Sequence, residues 1–303
     1  MYAQIDSNRH KTWFLIAIFI GLIAAAGWVY GYVVTDTGPF AIEIALAISL
    51  GMTLISWFAG DKIALSSTGA MELTDKSQFP TLWNVVENLS ITAGIPMPRV
   101  YIVNDPSPNA FATGRDPQHA SIAVTTGLLQ IMDRTELEGV ISHELSHVKN
   151  LDSRVMMIVL VLVGTLTLIG DRFLRFGLMG GGRRGRSRDN SGLGLVFLVV
   201  GLLFLILSPL IGQLIKLAVS RKREYLADAS GALLTRYPEG LARALQKIEN
   251  ASIPMSHVSN ATNHLWISEP QNVGFRASVA NLFSTHPPIE DRIARLRQME
   301  DNA

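Results

Sequence analysis

The feature that most constrains this chain is a set of apolar runs that no water-soluble surface could carry. Residues 12–34 and 40–60 each match or exceed the roughly 20 residues a helix needs to cross a bilayer, and two further runs, 155–170 and 193–219, follow a long polar interval. Charged side chains make up only 17% of the sequence, against roughly 25% in soluble domains. Much of this chain therefore has to face lipid, and its polar parts have to fold around the places where the runs begin and end.

The first two runs read as a hairpin. Its turn, TDTGPF, holds no Lys or Arg, whereas Arg9 and Lys11 precede the first run and Lys62 follows the second. Basic residues collect on the cytoplasmic side of spanning helices, so both flanks are expected in the cytoplasm. A cleavable signal peptide is the competing reading, because IAAAGW offers small residues after a basic start. The apolar stretch, however, continues through WVYGYVV, and cleavage after Ala26 would still leave the second run entering from the same side. The later pair is joined by DRFLRFGLMGGGRRGRSRDN, whose six arginines oppose that orientation if the pair crosses. Arg9, Lys11, Lys62, Lys76, Lys149, Arg154, Arg221, Lys222 and Arg223 outnumber them on the other side. Residues 155–170 are short for a crossing, which leaves open a full span or a shallow hairpin.

Net charge is +1, with 26 basic and 25 acidic side chains, so there is no bulk electrostatic case for nucleic acid as a partner. The arginines between positions 183 and 188 suit a solvated or headgroup-contacting loop. The absence of cysteine leaves His, Asp and Glu as the strong metal ligands. Between the second and third runs the patterning is that of a soluble domain. FPTLWNVVENLSITAGI places Leu82, Val85, Val86 and Leu89 at helical spacing with a glycine near the end. RVYIV, NAFATG and HASIAVTTGLL read as short strands. The expected fold is mainly α with a small β-sheet (α+β): a multi-span helical membrane protein carrying a compact catalytic unit.

Asp133 and Glu136 have the spacing of a capping box, and Leu137, Ile141, Leu145 and Val148 follow at helical intervals. On that helix His143 and His147 are four residues apart and project from one face, with Glu144 beside them. This is the HExxH arrangement, which arises by chance in a chain of this length at about the one per cent level. A hydrolytic zinc site needs three protein ligands and one open position. Glu224, in SRKREYLADASG, is the candidate third ligand, and Asp228 stands four residues on, where it can accept the free ring N–H of a ligating histidine. By itself such a Glu/Asp pair is an ordinary solvated face. Its position argues otherwise. Arg154 lies seven residues beyond His147 and Lys216 eight before Glu224, rises of ~10 Å and ~12 Å along a helix. An antiparallel apolar pair would carry both ligand helices to one height above the bilayer.

Taken together, HELSH, SRKREYLAD, NAFATG and STHPPIEDRI resemble the HtpX-type membrane zinc metalloproteases, relatives of the CAAX prenyl proteases. The similarity covers nearly the whole chain. It implies a gluzincin-like zinc peptidase in the inner membrane of a bacterium, facing the cytoplasm and acting in membrane-protein quality control, with one zinc ion per chain. By that resemblance His143, His147 and Glu224 are the zinc ligands, Glu144 the general base and Asp228 the acid behind a ligand. NAFATG corresponds to a substrate-side edge strand, which places Asn109, Ala110, Phe111 and Ala112 along a bound peptide. His286 and Arg292 correspond to the HPxxxxR segment near the site. The glycine- and arginine-rich connector is the one departure from the pattern.

The chain is expected to divide into a transmembrane hairpin (1–60), a first peptidase part with the HExxH helix (61–153), a second hydrophobic hairpin (154–219) and a second peptidase part with the third ligand (220–303). Glu144 is suited to take a proton from water and pass it to the leaving amine. An edge strand would bind unfolded or membrane-protein polypeptides through main-chain hydrogen bonds, whatever their side chains. A histidine beside two prolines before a helix is commonly structural; the functional alternative for His286 is a donor to the tetrahedral oxyanion. Arg292 is expected to pair with an Asp or Glu. Cleavage of prenylated peptides is the competing enzymatic reading, and a metal-binding scaffold without turnover is the non-enzymatic one. A transporter is disfavoured because the spans hold few charged groups beyond Glu43.

Overall fold

A computed structural model of the chain describes residues 2–29, 31–32, 39–180, 201, 221–251, 253–255, 265–268 and 287–301. Two long apolar helices open it, α1 (Tyr2–Val29) and α2 (Pro39–Ser67). They pair antiparallel: Trp13 stacks on Trp57 with ring centroids 6.1 Å apart, while at the other end Gly27 lies against Ala41 and Ala45. Both are long and apolar enough to cross a membrane. Trp13, Phe14, Phe40, Ile48, Leu50 and Phe58 are exposed on their outer surface, as expected where the solvent is lipid.

The third apolar run belongs to a longer helix than its composition suggests. Here α6 (Asp152–Gly180) has 29 residues, of which Asp152–Asp171 qualifies as a spanning segment. The helix starts three residues before the apolar run and continues beyond it, so by length and composition it can cross. It runs parallel to α1, with Leu15, Phe19 and Leu22 against Val159, Leu162, Val163 and Leu166. The fourth run, 193–219, and the arginine-rich stretch at 183–188 lie outside the described residues. Where the membrane helices meet the polar domain, Arg154 lies over the Trp57 ring at 5.2 Å and Arg115 over Phe58 at 5.3 Å. Cation–aromatic pairs of this kind suit the headgroup level.

The polar domain is a four-stranded sheet with helices. Its strands are β1 (Met71–Glu72), β2 (Arg99–Val103), β3 (Ala110–Thr113) and β4 (Ser121–Thr125), in the order β1-β2-β4-β3. Only the β2–β4 pair is parallel. β3 is an edge strand. The three strands expected from RVYIV, NAFATG and HASIAVTTGLL are present, but the end of the last one is helical. There α4 (Thr126–Ile131) begins where the Thr125 hydroxyl accepts from the Leu128 N–H at 3.2 Å.

Alternation along the strands buries both faces of the sheet. Val100, Ile102, Ala110, Ala112, Ile122 and Val124 face a core built with Leu82, Val85, Val86 and Leu89 of α3 (Pro80–Ala93) and Leu137, Val140, Ile141 and Leu145 of α5 (Arg134–Lys149). Tyr101, Val103, Phe111 and Ala123 face the other way, onto Ala64 and Leu65 of α2, Met156 and Leu160 of α6, and Trp266. The sheet is thus a septum between the soluble helices and the ends of the membrane helices. α3 ends on Gly94, whose φ of 69° is left-handed and closes the last turn. Three more helices complete the described fold: α7 (Arg221–Thr235), α8 (Pro238–Ala251) and α9 (Ile289–Asp301).

Candidate metal centre

The ligand helix α5 starts as its sequence predicts. Asp133 Oδ1 accepts from the Glu136 N–H at 2.9 Å, and Glu136 Oε2 accepts from the Asp133 N–H at 2.8 Å, so two of the helix's otherwise unpaired donors are satisfied. That start fixes the helix phase and turns His143, Glu144 and His147 inward, where all three are buried. α7 crosses α5 at this level. Its buried face carries Glu224, Asp228 and Gly231 at i, i+4 and i+7.

Three side chains converge. His143 Nε2 and His147 Nε2 are 3.1 Å apart. Glu224 places Oε2 3.7 Å from His143 Nε2 and Oε1 3.5 Å from His147 Nε2. Donor atoms around a tetrahedral ion with bonds of ~2.0–2.1 Å stand about 3.3 Å from one another, and here one ligand atom from each of the three residues lies within 4.8 Å of the others, the spacing of a group that can hold one ion. The donor set of two imidazoles and a carboxylate is one that zinc uses in hydrolytic sites. Among the described residues no other group of His, Asp and Glu has ligand spacing.

Each histidine is backed by its own carboxylate. His143 Nδ1 lies 2.9 Å from Asp228 Oδ1. Because an ionised carboxylate only accepts, Nδ1 carries the proton and Nε2 offers its lone pair. Asp228 is itself gripped by Arg292, through Nε at 2.9 Å and Nη2 at 2.7 Å. Burial works against the Asp228 charge, but Arg292 outweighs it and holds the carboxyl down at about 2. Burial likewise opposes charge on Arg292, yet Asp228 keeps its guanidinium more firmly protonated than usual. His147 Nδ1 lies 3.1 Å from Asp152 Oδ2, and Asp152 Oδ1 accepts from Arg223 Nη1 at 3.0 Å.

Burial pushes His143 down to about 4, against the pull of Asp228. At His147 burial has the same sense, but the bond to Asp152 and the carboxylates of Glu224, Asp152 and Glu144 outweigh it and raise the group to about 9. Burial also raises Glu144, to about 7, although His147, Arg292 and a bond from the Ala112 N–H favour its charged form.

Ala112 belongs to β3, so Glu144 touches the edge strand. The residues Asn109 to Ala112 lie beside the HExxH helix, and part of their outward polar surface is already taken. The Ala110 carbonyl accepts from the Ile267 N–H at 2.9 Å. The Asn109 side chain donates to the Ser268 carbonyl at 2.9 Å and accepts from the Ser268 N–H at 3.3 Å. Trp266 packs edge-on against Phe111 at 4.7 Å. Arg292 Nη1 reaches the Ile267 carbonyl at 3.1 Å. A segment of the chain thus lies along the strand expected to bind peptide.

His143, Glu144, His147, Glu224, Asp228 and Arg292 are brought together, with Asn109 to Ala112 alongside. His286 lies outside the described residues. Asp152 and Arg223 escape the reading by motif. The signal present is an Asp five residues after His147, but an acid just ahead of an apolar run reads as a helix start.

Comparison with known proteins gives a consistent answer. A profile described as peptidase family M48 matches residues 76–300. Among curated relatives, a protease HtpX homolog of Streptococcus uberis is 48% identical, the match covering 99% of this chain and 100% of that protein. Protease HtpX homologs of Tropheryma whipplei and Dictyoglomus thermophilum are each 46% identical, covering 99% and 98% of this chain and 98% and 94% of the respective relatives. Among solved structures, S. mikatae Ste24p aligns over 98% of this chain and 67% of that one, at 20% identity and a TM-score of 0.48. The buried His143, His147 and Glu224 cluster is the zinc site of a multi-pass membrane metalloprotease, and the chain belongs to peptidase family M48.

Proposed function

We propose that this protease is an endopeptidase that cuts unfolded stretches of misfolded or damaged membrane proteins at the cytoplasmic face of a bacterial inner membrane. The observation that carries the reading is the position of Glu144: a buried carboxyl on the helix of the two histidine ligands, facing Ala112 of edge strand β3. A carboxylate at that position is suited to accept a proton from water and return it to the leaving group.

Zinc, when bound by His143, His147 and Glu224, supplies the Lewis acidity that activates water and polarises a peptide carbonyl. Glu144 takes the proton of the attacking water and returns it to the departing amine. Asp228, fixed by Arg292, holds the His143 ring with Nε2 toward the metal position. Arg292, bonded to Asp228 and the Ile267 carbonyl, anchors the site; donation to the tetrahedral oxyanion is a separate step. His286 is the candidate for that step. Asn109 to Ala112 receive the substrate as an added strand, which takes over the Ala110 carbonyl from Ile267. Main-chain pairing selects extended polypeptide and tolerates varied side chains.

The peptidase unit is assembled from two stretches, 61–153 and 220–303, with 154–219 inserted between them as a second hydrophobic hairpin. The parallel packing of α1 and α6 supports a common cytoplasmic side for residues 1–11 and 61–153. Incubation of the reconstituted, zinc-loaded chain with one membrane polypeptide in folded and unfolded forms tests the proposal. Cleavage of the unfolded form at sites of varied sequence is expected. Turnover confined to short prenylated peptides would replace this reading with the competing one.

A further inference from the structure

We propose that Asp152 is the positioning carboxylate for His147 and that Asn8, on the first membrane helix, holds it in that role, so that zinc affinity depends on the docking of α1. The proposal rests on the zinc site and not on the choice of substrate.

Asp152 is the first residue of α6, and an acid there would ordinarily serve its own helix, accepting from the first-turn N–H groups or complementing the dipole. Its side chain does something else. Oδ2 faces His147 Nδ1 at 3.1 Å, while Oδ1 accepts from Arg223 Nη1 at 3.0 Å and from Asn8 Nδ2 at 2.7 Å. These partners come from α5, α7 and α1. Among the described residues its carboxylate makes no bond to an N–H of its own helix. The second Asn8 amide proton goes to the Asn150 carbonyl at 2.8 Å. Both protons of one amide are thereby committed to the short link between the ligand helix and the membrane helix.

That link is unusual in its backbone. Leu151, between α5 and α6, has φ of 61°, a left-handed conformation that is unfavourable for a non-glycine residue. The turn sets Asp152 against His147 instead of letting α5 run on as one helix. Asn8, Asp152 and Arg223 are all buried, where an acceptor or donor without its partner is costly. His147 thus has the same support as His143: a carboxylate on Nδ1 and an arginine behind it. The difference is the third contact, which brings in residue 8.

A carboxylate bonded to a ligating imidazole fixes ring orientation and tautomer, and its loss typically lowers metal affinity about 10- to 100-fold. In the full-length chain in detergent, zinc affinity is measured by competition with a chromophoric chelator, ligand geometry by the visible spectrum of the cobalt-substituted protein, and the thermal midpoint in excess chelator. Asp152→Ala should weaken zinc binding about 10- to 100-fold, and Asp152→Asn, which keeps an acceptor for Nδ1–H, should fall between it and the parent. Asn8→Ala should weaken binding by about ten-fold, the lower end of that range, and shift the cobalt spectrum. Thr12→Val is the control: Thr12 is buried on the same helix and its hydroxyl has no partner among the described residues, so zinc affinity should stay at the parent value. The proposal is overturned if Asn8→Ala binds zinc within two-fold of the parent with an unaltered cobalt spectrum. It is equally overturned if its loss of affinity is matched by Thr12→Val at a similar drop in midpoint. Should Asp152→Ala fail to fold, Asp152→Asn and Asn8→Ala carry the decision.

Discussion

Gly231 on α7 lies so close to α5 that a methyl group in its place would stand 3.0 Å from the backbone nitrogen of His143 and 2.9 Å from Ser142 Oγ. One helix crossing therefore sets the distance between the HExxH pair and Glu224, two turns before Gly231 on the same face. Gly231→Ala should force the helices apart by a few tenths of an ångström and destabilise the fold by about 1–3 kcal/mol, the usual cost of overpacking a tight contact. Zinc occupancy should fall with it. Thermal midpoints with and without zinc, together with metal analysis, check both effects.

Glu224 and Asp228 sit one turn apart on α7 but do different things. Glu224→Ala removes a donor atom and should leave the purified chain with little zinc, whereas Asp228→Ala should retain a detectable fraction, because loss of an orienting carboxylate weakens affinity by about 10- to 100-fold. Metal content after identical dialysis of the two variants makes the comparison. Near-stoichiometric zinc in the Glu224 variant would point to a different third ligand.

Ile267 holds the Ala110 carbonyl that an incoming peptide is expected to use. Ile267→Pro deletes the donor and should free that acceptor. The expected outcome is a lower KM for an unfolded polypeptide, read from initial rates over a range of substrate concentrations. An unchanged KM with unchanged kcat would show that substrate does not displace this segment.

Single cysteines test the topology without background, since the chain has none of its own. With α1 and α6 packed in parallel, cysteines introduced at Asp75 and Ala303 should react with an impermeant reagent from the cytoplasmic face, and one at Thr37 from the opposite face. A cysteine at Ser187 then distinguishes a crossing of residues 155–219 from a shallow hairpin. Labelling of Asp75 and Ala303 from opposite faces would break the proposed assembly of the peptidase unit.

What could be read from the sequence was what local chemistry dictates. The α5 start is legible because Asp133 and Glu136 satisfy each other within four residues, and α3 because its apolar positions recur up to a glycine stop. The two-residue strand β1 carries no periodicity to detect. Thr126–Leu129 reads as a strand end because it prolongs an apolar run, and only the Thr125 cap marks the switch to helix. The full length of α6 is hidden because its first turn, DSR, is polar. Asp152 and Asn8 are 144 positions apart; nothing in either neighbourhood indicates the other. Their bond exists because α1 and α6 enter the membrane side by side, a property of packing and not of any local pattern.

The central claim is that a zinc site and a proton acceptor together cut polypeptide, and Glu144 separates the two functions. The most direct measurement pairs metal analysis of the purified chain with its rate of cleavage of an unfolded substrate, for the parent and for Glu144→Gln. Glutamine keeps the shape and cannot take the proton, so the rate should fall at least ~10²- to 10⁴-fold while zinc stays near one per chain. A variant that retains zinc and cleaves at the parent rate would contradict the account.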